Sequence, residues 1–330
     1  MKPVSSLQDF LSSIFERGVA IARPREERSF LDLCESLLSE RGEVSGHLIA
    51  QAILSRYEQL DADGRRDFFR MLNERFDIDP EAIAKAAGEY AGDRNAQRYS
   101  QLLRLAEPRR QELLRRLNRV SGATARLVKM RSDLLRLLPS EPALERTDQD
   151  FQHLFASWFN RGFLELRPID WGAPARLLEK IIDYEAVHAI DDWDDLRRRM
   201  QPADRRCFAF FHPAMPDDPL IFVEVALTSE IPNSIQSVLA EDRQPIDPSA
   251  VNTAVFYSIN NSLSGLRGIS FGNFLLKQVV AALSQDLPGL QHYVTLSPAP
   301  GFAKWLAAEA EQGGEELVAP RADHAGGAHD

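Results

Sequence analysis

Between about residue 25 and residue 160 the apolar positions recur at helical spacing. Phe30, Leu31, Cys34, Leu37 and Leu38 form one stripe; Leu48, Ala52, Ile53, Tyr57 and Leu60 form the next. That second stripe ends at Asp61-Ala62-Asp63-Gly64, where Asp63 is expected to cap a helix carrying Phe68, Phe69 and Leu72. Asp79-Pro80-Glu81 is a start signal, with Asp79 as N-cap and Pro80 in the first helical position. Stripes continue through Leu102, Leu103 and Leu105, then Leu113, Leu114 and Leu117, then Leu134, Leu135 and Leu138. Pro139 and Pro142 interrupt the pattern. A last helix runs through Phe151, Leu154, Phe155, Trp158 and Phe159 and is closed by Asn160-Arg161-Gly162. No polar cluster falls on these stripes, so this half reads as scaffold and assembly surface.

The period changes after residue 162. Phe163-Leu164-Glu165-Leu166 alternates like a strand. Helices are expected over residues 174–186 and 193–200, and strands over 207–211 and 220–227, paired as a hairpin across a proline-rich turn. A loop from residue 228 leads to a short helix, and residues 243–250 are a polar insertion. Ala254-Val255-Phe256-Tyr257-Ser258-Ile259 is a run of β-formers. A glycine-bearing polar loop follows, then a helix with Phe274, Leu275, Val279, Val280 and Leu283 on one stripe. A strand over 292–296 ends in Ser297-Pro298-Ala299-Pro300-Gly301. The pattern predicts an α+β chain of two domains: an all-α bundle over 1–160 and a mixed α/β layer over 161–310. Residues 311–330 are too polar and glycine-rich to bury a core and are expected to be disordered.

The strand–loop–helix unit has the makings of an anion site. Gly265, Gly268 and Gly272 let backbone approach a ligand. The following helix begins with unpaired N–H groups and the positive end of its dipole. Arg267 adds a forked cation. The spacing is neither GxGxxG nor a P-loop, so a surface loop before an ordinary helix is an equal reading of the pattern alone.

Composition narrows the classes. A 330-residue chain that is 44% hydrophobic suits two packed domains. A net charge of −10 argues against general nucleic-acid binding while leaving room for a local basic pocket. Arg109, Arg110, Arg115, Arg116, Arg119 and Arg126 cluster, and in an acidic chain they read as a solvated helix face with glutamate partners or as a subunit interface. No apolar run is long enough for a membrane span, and the first residues do not read as a secretory signal. The final Ala328-His329-Asp330 is not a peroxisomal tripeptide. Cys34 and Cys207 point to a reducing, cytoplasmic setting, and no metal-ligand spacing is present.

Five segments also carry a resemblance. They are residues 211–216 (FHPAMP), 223–230 (VEVALTSE), 256–259 (FYSI), 265–277 (GLRGISFGNFLLK) and 295–305 (TLSPAPGFAKW). In that order they are similar to malonyl-CoA decarboxylases. The resemblance implies a helical oligomerisation domain followed by an acetyltransferase-like (GNAT) catalytic domain. In that fold the strand–loop–helix unit holds the coenzyme A pyrophosphate. It implies malonyl-CoA as substrate, acetyl-CoA and CO2 as products, no metal, no further cofactor, and a homo-oligomer. The family's downstream histidine lies in a Val-Ala-x-Phe-His-Leu stretch with no counterpart here, so a truncated relative or a fragment is expected.

By the same resemblance Ser297 is the catalytic serine, and Arg267, Gly268, Ile269, Ser270, Phe271, Gly272 and Asn273 form the coenzyme loop. A serine needs an acid–base partner near neutral pH. His212 is the first candidate, since His292 lies five residues from Ser297 and so on the opposite face of the strand. Tyr257, Ser258 and Asn260 stand at the end of the strand before the loop, a usual place for ligand contacts. Plainer readings compete: a turn histidine for His212, a strand aromatic for Tyr257, a Ser-Pro turn for Ser297. Glu224, Glu230 and Asp242 are carboxylates that nothing in the sequence selects. Two other functions fit the same segments: an acyl-CoA acyltransferase and a non-catalytic acyl-CoA-binding protein.

Overall fold

The computed structural model describes residues 28–39, 42–270, 274–299 and 301–311. The first part is helical: α1 Phe30–Ser39, α2 Glu43–Glu58, α3 Ala62–Arg75, α4 Pro80–Gly92, α5 Ala96–Ala106, α6 Arg109–Leu117, α7 Ala123–Leu137 and α8 Glu145–Trp158. Asp79 caps α4 through the backbone N–H groups of Glu81 (3.0 Å) and Ala82 (3.1 Å), with Pro80 in the first turn. The cap of α3 is Asp61, not Asp63: its carboxylate accepts from Gly64 N–H at 2.8 Å. The Asp-Ala-Asp-Gly stretch is therefore the first turn of the helix, and Asp63 there pairs with Arg66.

The clustered arginines tie these helices together. Arg109 bonds Glu35 and Arg126 bonds Glu58 on other helices, while Arg115 bonds Glu107 and Arg116 pairs with Glu112. Arg110 departs from the expected solvated face: it is buried, between Asp150 and Asp77. Helix α5 buries no residue, leaving Tyr99 and Leu103 about half exposed (49% and 52%).

The second part is a five-stranded sheet in the order β1-β2-β3-β4-β5, with β1 Glu165–Ile169, β2 Arg205–Phe211, β3 Ile221–Thr228, β4 Thr253–Asn261 and β5 His292–Thr295. The first four strands are antiparallel neighbours, and β4 pairs β5 in parallel. The strand expected from Phe163 starts later, because Arg161–Phe163 forms a single 3-10 turn. Pro168 is tolerated in β1 because that strand is at the sheet edge. Helices α9 Ala175–Tyr184, α10 Trp193–Met200, α11 Ile235–Leu239, α12 Phe274–Asp286 and α13 Phe302–Glu311 complete the order.

Alternation along the strands gives the sheet two buried faces. Phe208, Phe210, Val223, Val225, Leu227, Ala254 and Phe256 join one continuous core with the helical part and with Leu275, Val279 and Leu283 of α12. Cys207, Ala209, Phe211 and Phe222 pack instead on Leu178 and Ile181 of α9 and Leu196 of α10. Ala226, Val255 and Tyr257 pack on Val238 of α11.

Candidate active site

The site is built on the parallel pair. β4 and β5 register from Thr253↔His292 to Phe256↔Thr295, and Leu296 N–H continues the ladder to Phe256 C=O at 2.9 Å. Their carboxyl ends therefore reach the same sheet edge, where α/β folds place their ligands. The loop after β4 begins beyond Asn261, and Ser297 follows the last residue of β5 by two. Tyr293 packs toward the core that α12 joins, whereas Val294 and Leu296 pack beside Tyr257. Continuing that alternation puts Ser297 on the side of α12, and its residue is exposed.

The loop opens with a 3-10 turn, Ser264–Leu266. Gly268 has φ +81°, a left-handed conformation that an L side chain would strain. Ile269 is buried in the main core and donates its N–H to Leu266 C=O at 3.0 Å. Arg267 and Ser270 are exposed, and among the described residues no hydrogen bond or ion pair engages the Arg267 guanidinium. Gly265 does something other than admit a ligand. A Cβ there would stand 1.9 Å from Val128 C=O, so this glycine lets the turn lie against α7. Phe271, Gly272 and Asn273, the remainder of the expected coenzyme loop, lie outside the described residues.

The structure does not bring His212 to Ser297. His212 follows β2, with β3 and β4 between that strand and β5. Its ring faces Trp158 C=O at 3.1 Å through Nε2, accepts from Ala214 N–H at 3.1 Å through Nδ1, and packs on Phe159 and Phe163. Burial lowers its pKa, opposed in part by the bond to Trp158. It serves as a turn histidine joining the sheet to the end of α8. His292 opens β5 at the end away from Ser297.

Tyr257 takes the face of Val255 by ordinary alternation, and a bulge brings Ser258 to the same face. Glu224 pairs with Ser258 but Val225 pairs with Phe256, so Tyr257 is an extra residue on β4. Tyr257 and Ser258 thus share the face opposite α12, and both are buried. Ser258 Oγ donates to Glu185 at 2.6 Å and Asn260 Nδ2 donates to the same carboxylate oxygen at 2.7 Å. Glu185 also accepts from the N–H groups of Val187 (2.8 Å) and His188 (2.7 Å) at the end of α9. Glu224 is fully buried beside this group; its carboxylate makes no hydrogen bond among the described residues, and Arg199 Nη1 stands 3.7 Å away. Burial above all, then the nearby Glu185, pushes the Glu224 carboxyl up to about 8, against the pull of Arg199 and of the Tyr257 hydroxyl. Glu185 and Arg199 had no mark in the sequence as members of a site. A signal for the cluster did exist: Ser258, Asn260 and Ser262 alternate as buried polar residues after the apolar run over residues 254–257.

Among the described residues no group of three or more His, Cys, Asp or Glu is placed to hold a metal ion, and no helix is long and apolar enough to cross a membrane.

Comparison with known proteins gives this geometry its context. The family model described as the malonyl-CoA decarboxylase N-terminal domain matches residues 76–159, and the one described as its C-terminal domain matches residues 162–325. The mitochondrial malonyl-CoA decarboxylase of Anser anser anser is 35% identical over 91% of this chain and 62% of its own length. The chain thus spans less than two thirds of that curated relative. The crystal structure of malonyl-CoA decarboxylase from Rhodopseudomonas palustris is 53% identical with a TM-score of 0.81, over 88% of this chain and 71% of that one. The structure from Agrobacterium vitis is 56% identical with a TM-score of 0.80, over 84% and 68%. With relatives matched across both the helical and the sheet parts, the chain belongs to the malonyl-CoA decarboxylase family.

Proposed function

We propose that the edge formed by the 262–270 loop and Ser297 binds malonyl-CoA and supports its decarboxylation to acetyl-CoA and CO2. What supports this reading is that the loop carrying Arg267 and the left-handed Gly268 turn follows β4, and Ser297 follows β5, beyond the carboxyl ends of a parallel pair. Arg267 supplies an exposed cation for a phosphate, and the exposed loop backbone adds donors. In the reaction the bond between the carboxylate carbon and the α-carbon breaks and its electrons pass into the thioester as an enolate. CO2 leaves, and a proton on the α-carbon completes acetyl-CoA. On this reading the Ser297 hydroxyl donates to the thioester oxygen as charge develops there. His212 does not supply the proton, because its ring is engaged in the turn beyond β3 and β4.

The test is CO2 release from malonyl-CoA by this chain and by Ser297→Ala and Arg267→Ala. Release that Ser297→Ala abolishes, with malonyl-CoA affinity reduced in Arg267→Ala, is the expected result. Binding without release would make the chain a coenzyme-binding member of the family, and absence of both would remove the site.

The division into a helical domain over 1–160 and an acetyltransferase-like domain over 161–310 belongs to the same proposal. Its supports are the junction of the two family models at 159/162 and the β4–α12–β5 unit. Both cysteines are free and buried, in keeping with a reducing cytoplasmic setting. We place homo-oligomer formation on the helical part, where α5 buries none of its residues and leaves Tyr99 and Leu103 about half exposed. Leu103→Glu is expected to shift the protein to a smaller species in multi-angle light scattering. An unchanged mass, or a wild type that is already monomeric, would refute that surface.

A further inference from the structure

We infer that Arg131 of α7 is a positioning residue for the substrate loop, acting through the loop's backbone. This rests on the reading of that loop as a coenzyme cradle. Arg131 is 1% exposed, although it carries a full charge. Its Nε donates to Asp148 of α8 at 2.7 Å and its Nη2 to the same carboxylate at 3.3 Å. Its Nη1 donates to Gly265 C=O at 2.7 Å and to Arg267 C=O at 2.9 Å. One guanidinium therefore spans two helices of the scaffold and both sides of the turn that presents Arg267. The fork matters: a carboxylate takes one edge and the two carbonyls take the other.

Two further contacts hold the same turn. Ser132 and Ser264 hydroxyls meet at 2.6 Å. Gly265 lies so close to Val128 C=O that no Cβ fits between them. The free energy of this arrangement goes into fixing where the loop's carbonyls, and hence the Arg267 side chain and the Gly268 turn, sit before a ligand arrives. Such pre-organisation raises affinity by removing the ordering cost from the binding step. The helical part then contributes to the site through the loop backbone that Arg131 holds.

The experiment compares wild type, Arg131→Lys, Ser132→Ala and Asp150→Asn. Asp150→Asn weakens a different buried ion pair, between α6 and α8, and serves as the control for lost stability alone. Two quantities are read under conditions where circular dichroism shows every variant folded: hydrogen exchange of the Arg267 and Ile269 amides, and the dissociation constant for coenzyme A. Lysine has no fork, so Arg131→Lys should speed exchange at both amides and weaken coenzyme A binding by about tenfold or more. Ser132→Ala should move both in the same direction by about two- to threefold, and Asp150→Asn should leave coenzyme affinity within about twofold of wild type. Unchanged loop exchange in both Arg131→Lys and Ser132→Ala would overturn the strut. Faster exchange with unchanged coenzyme affinity would overturn the positioning role. A wild type that binds no coenzyme A would instead overturn the cradle reading, and the exchange rates would still report the strut.

Discussion

Asp150→Ala is expected to lower the unfolding free energy by about 3–5 kcal/mol, because it strands a buried cation. Arg110 is 2% exposed and its Nε donates to Asp150, which also accepts from Gln111 Nε2 at 2.6 Å. The partner that remains, Asp77, lies 2.9 Å from Arg110 Nη1 but is already engaged with Arg146 at 2.7 Å. Alanine therefore leaves one carboxylate between two arginines and an amide donor with no acceptor. Buried pairs contribute little net stability over an apolar pair of the same volume, yet breaking one is costly. The double replacement Arg110→Met with Asp150→Leu should accordingly recover most of the loss. Urea midpoints for the wild type and the two variants decide the matter. A loss below about 1 kcal/mol in Asp150→Ala would mean that water reaches Arg110 and that the α6–α8 joint is looser than its geometry indicates.

This joint illustrates what the sequence could and could not disclose. The helical stripes, the Asp79-Pro80 start and the hairpin of β2 and β3 were legible because each rests on local chemistry: periodicity, a cap, a tight turn. Arg110 was not separable from its neighbours, because its burial depends on Asp77 and Asp150, which are remote in sequence. The same limit governs the site. Its strand–loop–helix order was visible, and so was Ser297 at a strand end. The roles of Gly265 and Arg131 were hidden, since both depend on α7 meeting a loop more than a hundred residues away. The bulge at Tyr257 was hidden as well. It shifts the alternation of β4, so that Ser258, which looked available to a ligand, faces a buried carboxylate instead.

That carboxylate cluster leads to an expected pH dependence. The Glu224 carboxyl, ordinarily near 4.5, is pushed up to about 8 in the folded chain, first by burial and then by Glu185. The groups around it are Glu185 after α9, Asp195 and Arg199 on α10, Arg205 and Cys207 on β2, and Tyr257 on β4. Between about pH 4.5 and 8 the folded chain keeps a proton that the unfolded chain has released. The stability owed to that proton is complete below about 4.5 and is lost as pH rises toward 8, at up to about 1.4 kcal/mol per pH unit. Glu224→Gln keeps the shape of the protonated acid and has nothing to release. The variant should match wild type near pH 5 and exceed it by about 2 kcal/mol or more at pH 8, where wild type must either hold the proton or bury the charge. Urea unfolding of both proteins from pH 5 to 8.5 reads this difference directly. Parallel curves would show that Glu224 is ionised throughout and that Arg199, only 3.7 Å away, suffices to hold it so. Converging curves at low pH would instead identify Glu224 as a buried acid whose neutrality the sheet depends on at the foot of β4.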